Sequence, residues 1–407
     1  MPNDHMPAPD APRLRVSMLV WNTFLNDARV LNEARTLARA GYEVRVHALA
    51  LFAVTPALET LEPGLTVQRC GSGQGRRQQG GGAGRFKGLT LLLLLCARVF
   101  TMLQMGWEVL SARPHLVHAH DVNMLPLAWL ASRFARVPLV YDAHEISTGR
   151  EGYQSYRGLI AWLEKRIMRR AAGTITTTDA RAKFFARAYG IERPLVLQNR
   201  PRHLQPIRSN RLHEELQLPQ AWPVVIYQGG LQPGRGLARL VEVVASVPNA
   251  YFVFVGGGGL TTELKSLTRQ LELTERVRFI DTVPLAELPS FTASADIGVQ
   301  PIENTCLNHY TTDSNKLFEY VQAGLPVVAS DLPEIRRVVR KHDLGLLVPP
   351  GDSTALAAAL RELVADKSKR QYYAAQSHKA SAILSWESQE HELLALYVKV
   401  LTNPAPA

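Results

Sequence analysis

The sequence predicts an α/β protein made of two doubly wound parallel-sheet domains in tandem. Three observations predict it. At 407 residues the chain exceeds what one hydrophobic core commonly supports. It opens with an apolar strand, an amphipathic helix and a second apolar strand joined by short turns, which is how a parallel sheet begins. After a proline-rich connection, a second set of strand-like runs separated by helix-like segments repeats that alternation.

Taken in order, Met1 to Pro12 is polar and proline-rich and reads as a disordered tail, without the apolar core of a signal peptide. Leu14 to Val20 is the first strand; Leu31, Ala34, Leu37 and Ala38 mark a helix ending at Gly41, and Val44 to Ala48 is the next strand. Gly71 to Gly84 is glycine- and arginine-rich and reads as a mobile loop. Leu89 to Trp107 approaches membrane-spanning length, but Arg98 near its middle would cost at least about 2.5 kcal/mol at the bilayer centre. That stretch reads first as a buried helix of the sheet. The alternative is an interfacial helix, helped by Arg76, Arg77, Arg85 and Lys87, in which residues 71–110 meet an anionic membrane surface.

Leu116 to Asp121 and Pro138 to Glu145 are strands that end in ionisable residues, among them His118, His120, Asp142 and His144. Ligands of open α/β sheets bind just past such carboxyl ends. Helices near Leu159 to Ala171 and Ala180 to Tyr189 flank the strand Gly173 to Thr176, and Arg193 to Gln205 reads as an interdomain connection. Strands follow at Pro223 to Tyr227, Tyr251 to Val255, Val277 to Ile280, Ile297 to Val299 and Pro326 to Ala329. Leu393, Leu394, Tyr397 and Leu401 share one face of a terminal helix. Domains are expected at 1–200 and 201–385, with a helix at 386–407 packing back on the first.

Composition narrows the function classes. Net charge is +10, which favours a phosphorylated ligand, a polyanion or an anionic surface. The cations are scattered and no recognition helix, zinc finger or aromatic RNA-binding signature accompanies them, so no nucleic-acid partner is expected. Cys70, Cys96 and Cys306 are odd in number and far apart, which fits a reducing cytoplasm. There is no His-Glu-x-x-His, Cys-x-x-Cys or Asp-x-Asp, so no metal and no other cofactor is expected.

Two stretches carry chemistry. The strand Val224 to Tyr227 runs into Gly229-Gly230-Leu231-Gln232-Pro233-Gly234-Arg235-Gly236 and then a helix. Glycines let backbone approach a phosphate, a helix start offers free N–H groups, and Arg235 is a bidentate phosphate ligand. The same pattern also describes an ordinary tight β-α turn. It is not a P-loop, because Arg235 and Gly236 stand where Lys and Ser or Thr would be. The second stretch is Thr311-Thr312-Asp313-Ser314-Asn315-Lys316-Leu317-Phe318-Glu319-Tyr320, read as a loop, a helix capped by Asp313 or Ser314, and a stop at Gly324-Leu325-Pro326. Lys316 in a first turn is disfavoured by the helix dipole unless an anion sits beside it. Lys316 and Glu319 share a face, so they either meet one ligand or form a surface ion pair.

With these segments placed, the chain resembles the retaining GT-B glycosyltransferases of family 4, the glycosyl transferases group 1. The matching residues are Asp27-x-Arg29-Val30-x-x-Glu33-Ala34 with Leu37 to Val44, His118-Ala119-His120-Asp121, Val140-Tyr141-Asp142-Ala143-His144-Glu145, Tyr227 to Gly236, and Ser314 to Tyr320 through Asp331. The resemblance implies two Rossmann-like domains, the second holding a nucleoside diphosphate sugar and the first an acceptor. It implies that Glu319 binds ribose hydroxyls and that Arg235 binds the diphosphate. It also places the N–H groups of Asn315 and Lys316 at the phosphate, and His144 near the reacting sugar. No metal is implied. Three departures stand out: Thr311 where the family has an earlier glutamate, Gly230 where a basic residue is frequent, and no glycine in Trp21 to Leu25.

The expectation is a metal-independent glycosyltransferase moving a hexose-like unit to an acceptor hydroxyl with retention, in cell-surface glycan or glycolipid synthesis. His144, Arg235 and Lys316 are its expected catalytic residues. Gly229, Gly230, Arg235, Thr312, Asp313, Ser314, Asn315, Lys316, Leu317 and Glu319 are its expected donor-binding residues. Glycan or lipid-linked acceptors are the expected partners, in the cytoplasm or on the inner face of the plasma membrane. The alternatives are a GT-B sugar-nucleotide epimerase and a non-catalytic binder of sugar nucleotides or polyanions.

Overall fold

The computed structural model describes residues 13–51, 54–71, 87–149, 155–205 and 209–402. The glycine-rich stretch after Gly71, the N-terminal tail and the cations Arg76, Arg77 and Arg85 lie outside the described residues. The chain divides into two compact units: one formed by 1–177, 181–197 and 390–407, the other by 178–180 and 198–389.

The first unit contains β1 (Arg15–Leu19), α1 (Ala28–Arg39), β2 (Glu43–Leu49), β3 (Leu58–Glu62), β4 (Leu65–Cys70), α2 (Lys87–Ser111), β5 (Leu116–His120), α3 (Asp121–Ala135), β6 (Leu139–Ala143), α4 (Arg157–Met168), β7 (Gly173–Thr176), α5 (Asp179–Tyr189) and β8 (Leu195–Val196). Its sheet runs β3-β4-β2-β1-β5-β6-β7-β8. The pairings are parallel except for the antiparallel β3–β4 edge. That edge hairpin escapes a sequence reading because two of the five residues Leu58-Glu59-Thr60-Leu61-Glu62 are charged, as edge strands tend to be.

Side-chain alternation sorts the strands' two faces. Val117, Ala119, Leu139 and Tyr141 pack with α2, α3, α4 and α5 residues such as Met105, Met124, Ile167 and Phe185. His118, His120 and Asp142 therefore point to the other face, toward α1 and the terminal helix.

The second unit contains α6 (Arg211–Leu216), β9 (Val224–Gln228), α7 (Leu237–Val243), β10 (Tyr251–Val255), α8 (Thr261–Gln270), β11 (Val277–Ile280), α9 (Leu288–Thr292), β12 (Ile297–Gln300), α10 (Leu307–Tyr310), α11 (Asn315–Gln322), β13 (Val327–Ser330), α12 (Pro333–His342), β14 (Gly345–Val348), α13 (Ser353–Ala365) and α14 (Lys367–Ser381). Its all-parallel sheet runs β11-β10-β9-β12-β13-β14. Val225, Tyr227, Phe252 and Phe254 fill one side core, and Val224, Ile226, Tyr251, Val253 and Val255 the other. Strand order reverses at β9, so the crevice beyond Gln228 is the place where such sheets receive ligands. The last element, α15 (Glu390–Thr402), belongs to the first unit and packs on α1 and β7.

One expectation is corrected. The apolar run Leu89 to Trp107 forms a helix, but not a buried one: Phe100, Leu103 and Trp107 are 64%, 67% and 72% exposed. Among the described side chains of the helix, only the seam Thr101, Met105 and Val109 is buried. The reason lies in the pattern: apolar residues occupy nearly every position, whereas a helix lying on a sheet can bury just one stripe. The Arg98 guanidinium stands over the Trp21 indole, 4.9 Å from its centre.

Candidate functional site

In the second unit, β9 delivers its chain end to Gly229 at φ +107°, a left-handed conformation that glycine adopts freely. The following loop is braced by a second glycine turn. A Cβ on Gly256 would lie 2.3 Å from the Gly229 carbonyl oxygen, and one on Gly258 would lie 2.4 Å from that of Leu231. The Gly256 to Gly259 turn thus permits close packing. Gly236, at φ +69°, starts α7 against the Pro301 carbonyl, where a Cβ would meet oxygen at 2.0 Å.

α11 begins at Ser314, whose φ of +50° turns the chain sharply; its side chain makes no cap hydrogen bond. By position the N–H groups of Asn315 and Lys316 have no intrahelical acceptor. Tyr320 anchors the helix: its hydroxyl donates to the Ile226 and Val299 carbonyls, and its ring lies where a Cβ on Gly298 would stand. Leu317 is buried in the core. Thr312 and Asp313 are buried too, with the Asp313 carboxylate accepting from Gln198 Nε2.

This anchoring brings Lys316, Glu319 and Arg235 to the Gly229 loop. The Lys316 ammonium lies 5.1 Å from the Tyr227 ring centre, 3.3 Å from Ser314 Oγ and 3.7 Å from where a Gly229 Cβ would stand. Burial and then the nearby Arg235 charge push its pKa down to about 7, against the pull of Glu319. Burial raises the Glu319 pKa, opposed by the hydrogen bond its Oε2 accepts from Gln228 Nε2 at 2.6 Å. Thr292 in turn donates to Gln228 Oε1 at 2.7 Å, fixing the amide. Gly230 is exposed on the loop beside them. The arrangement gathers two basic side chains, one carboxylate and backbone N–H groups of a helix start beside the end of β9, suited to a phosphate joined to a hydroxyl-bearing group.

In the first unit, β6 carries Asp142 as its penultimate residue and His144 just beyond its end. Register places His120 of β5 beside Asp142. Asp142 accepts two hydrogen bonds from buried Arg29, at 2.6 and 2.8 Å, and lies 3.0 Å from His144 Nε2. Burial works against the Asp142 charge, but Arg29 and His144 hold its pKa well below the usual carboxylate range. For His144 burial also opposes charge, yet Asp121 and Asp142 outweigh it and lift the pKa to about 9. Behind them Glu33 is wholly buried, and burial followed by the Asp142 charge raises its pKa well above normal. Among the described residues neither Glu33 oxygen nor His118 Nε2 has a hydrogen-bond partner, although Glu33 Oε1 lies 3.3 Å from Arg29 Nε and Oε2 lies 3.9 Å from His118 Nε2. His118 Nδ1 is paired with the Tyr397 hydroxyl of α15 at 2.8 Å.

Glu33, His118, His120 and Asp142 offer ligand atoms within 4.8 Å of one another, the one group among the described residues whose spacing suits a metal ion. Arg29 already occupies both Asp142 oxygens. A dication would have to share that carboxylate with a buried guanidinium, so the cluster fits a charge-compensated hub better than an ion cage.

Two sequence profiles match. Residues 27–200 match "Glycosyl transferase 4-like domain", and residues 209–380 match "Glycosyl transferases group 1". The chain belongs to the glycosyl transferases of group 1. Among curated relatives, this glycosyltransferase is 25% identical to the D-inositol 3-phosphate glycosyltransferase of Xylanimonas cellulosilytica, covering 93% of this chain and 92% of that one. It is 28% identical to the phosphatidyl-myo-inositol mannosyltransferase of Mycobacterium leprae over 71% of its own length and 74% of the relative's. Among solved structures it is similar to sucrose-phosphate synthase from Thermosynechococcus elongatus (TM-score 0.74, 20% identity, 96% and 100% coverage). It is also similar to Anabaena HepE in complex with UDP-glucose (TM-score 0.70, 19% identity, 95% and 100% coverage). These likenesses establish the GT-B fold of the glycosyltransferase.

The structure brings Gly229, Gly230, Arg235, Ser314, Asn315, Lys316 and Glu319 together between the end of β9 and the start of α11 in the second unit. Leu317 anchors the helix from the core side, Thr312 and Asp313 lie buried behind its start, and His144 belongs to the first unit. Gln228 and Thr292, which orient Glu319, escape a sequence reading. A glutamine at a strand end carries no spacing signal, and Thr292 meets it only through the sheet.

Proposed function

We propose that the protein transfers a sugar from a nucleoside diphosphate sugar to an acceptor hydroxyl with retained anomeric configuration and without a metal. The single observation that carries this reading is the convergence of Lys316, Arg235 and the α11 start on the Gly229 loop, with Glu319 on the same helix face. Glu319 accepts from the ribose hydroxyls. Arg235 and Lys316, with the N–H groups of Asn315 and Lys316, hold the diphosphate and stabilise its charge as the glycosidic bond breaks. Two basic side chains and a helix end then do what a divalent cation does elsewhere. A donor phosphate oxygen takes the acceptor proton on the face the leaving group departs from, and His144, held by Asp121 and Asp142, positions the sugar. Gly229 and Gly230 admit the phosphates; Thr312, Asp313, Ser314 and Leu317 shape the loop around the donor.

The acceptor in this reading is a glycan or lipid-linked hydroxyl compound met in the cytoplasm, at an anionic membrane surface reached through residues 71–110. Relatives named for D-inositol 3-phosphate and phosphatidyl-myo-inositol support an acceptor that carries a phosphate.

Donor turnover with product analysis tests the reading. Acceptor-dependent transfer supports it; acceptor-free epimerisation or tight binding without turnover overturns it. Lys316→Ala is expected to lower turnover by the equivalent of about 2.7–4 kcal/mol, the usual cost of losing one preorganised charge contact. Turnover within about threefold of wild type would remove Lys316 from the mechanism.

A further inference from the structure

On the first unit, α2, α3 and α4 pack side by side over one face of the sheet, so their outward sides form one surface. That surface is unusually apolar. Phe100, Leu103 and Trp107 of α2, Phe134 of α3, and Leu159 and Trp162 of α4 are all more than half exposed. From Leu93 to Ser111 the helix is apolar enough to enter a bilayer, with only 17% of its most apolar window buried. Contiguous apolar area of this kind marks a docking surface.

The identity of the occupant comes from what borders the apolar residues. Leu159, Trp162 and Arg166 of α4 and its C-cap residue Arg169 fall at i, i+3, i+7 and i+10, so apolar and cationic residues share one outward face. Trp162, Lys165, Arg166, Arg169 and Arg170 line an open cleft of about 620 Å³. Arg166 lies over the Trp162 ring, Lys165 Nζ donates to the Ala188 carbonyl and Arg169 Nε to the Tyr189 carbonyl. Among the described residues no acidic side chain pairs with these cations; Glu164, the one carboxylate on α4, turns inward and accepts from Tyr141, Ser147 and Tyr189. Arg98, which would obstruct insertion of α2, is folded onto Trp21. A tryptophan beside uncompensated cations, next to a deep apolar face, suits the boundary between acyl chains and anionic headgroups.

We propose that the α2–α3–α4 face docks on an anionic phospholipid bilayer, with α2 lying in the interface and the α4 cleft holding a headgroup phosphate. This deepens the membrane-surface reading above and gives that reading its contact residues. α2 enters with its apolar side chains around Phe100 and Leu103, and α4 sets the depth through Trp162 and the charge selectivity through Arg166 and Arg169.

The test is flotation of the full-length protein with vesicles of phosphatidylcholine alone or mixed with phosphatidylglycerol. The proposal expects flotation with the mixed vesicles, weakened by salt. Arg166→Gln with Arg169→Gln lowers partitioning roughly 30-fold, at about a tenfold change for every 1.4 kcal/mol and about 1 kcal/mol for each cation. Phe100→Ser with Leu103→Ser abolishes flotation. These positions are exposed, and a thermal melt of each variant checks that it is folded. No flotation of the wild type, flotation indifferent to lipid charge, or a light-scattering dimer that the Phe100→Ser, Leu103→Ser variant dissociates would overturn the proposal. Donor binding is followed by thermal shift without vesicles, so failure to float leaves the catalytic reading intact, and failure to bind a donor leaves the docking face intact.

Discussion

Lys316 is the residue whose chemistry is most tightly set by its surroundings. Its ammonium is buried beside Arg235 and is half-deprotonated near pH 7 in the ligand-free protein. A diphosphate bound there favours the charged form, so binding takes up a proton once the pH exceeds about 7. Nucleoside diphosphate affinity is therefore expected to be flat below pH 7 and to weaken above it, approaching about tenfold per pH unit. Calorimetric titration across pH 6 to 9 checks this. Lys316→Arg keeps its charge throughout and is expected to lose the pH dependence. The folding linkage has the opposite sense: the unfolded chain holds the proton up to the ordinary range near 10.5, so this group adds stability as pH rises from about 7 toward that value. His144 behaves inversely, since the carboxylates that raise its pKa contribute stability below pH 6.5 that is lost as pH passes about 9.

At the scale of elements, the site depends on turns that tolerate only glycine. Gly236→Ala would place a methyl 2.0 Å from the Pro301 carbonyl oxygen while holding alanine at φ +69°. The expected loss is on the order of 1–3 kcal/mol, from strain and overpacking together. A thermal melt measures that loss, and weaker donor binding should accompany it, because Arg235 is the preceding residue. Such elements differ in how openly the sequence declares them. The strands β9 to β13 and the helix α11 are legible because apolar runs and helical spacing both reflect the same buried faces. The crevice residues Lys316, Glu319 and Arg235 are legible from loop chemistry and family resemblance together. The α2 surface is not, because hydropathy reports that a helix is apolar and is silent on which side a sheet covers. The hub of Arg29, Glu33, Asp142 and His118 is hidden for another reason. Its members sit on α1, β5 and β6, and only parallel strand register and the α1 crossing bring them together.

At the scale of the whole molecule, the first unit is assembled from three separate lengths of chain. Leu393, Tyr397 and Val400 of α15 are fully buried, Tyr397 holds His118, and Glu390 accepts from Thr36 of α1. Ending the chain at Gln389 would uncover the α1 and β7 surfaces that these side chains fill. Losing three such residues is expected to cost on the order of the roughly 5–15 kcal/mol that stabilises a typical domain. Limited proteolysis should then digest residues 1–177 rapidly while a fragment spanning 198–389 persists, since α15 contributes nothing to that unit's core. Equal resistance of both halves would show that α15 is dispensable.

Placement of α15 also sets an order of events during synthesis. Domains commonly fold from the amino terminus as the chain emerges from the ribosome. Here strands β1 to β8 lack their covering helix α15 until residues 390–402 have been made. The carboxyl-terminal unit therefore completes its core while the earlier unit still exposes the bed for Tyr397. During that interval the nascent chain is most in need of chaperone protection over the first unit.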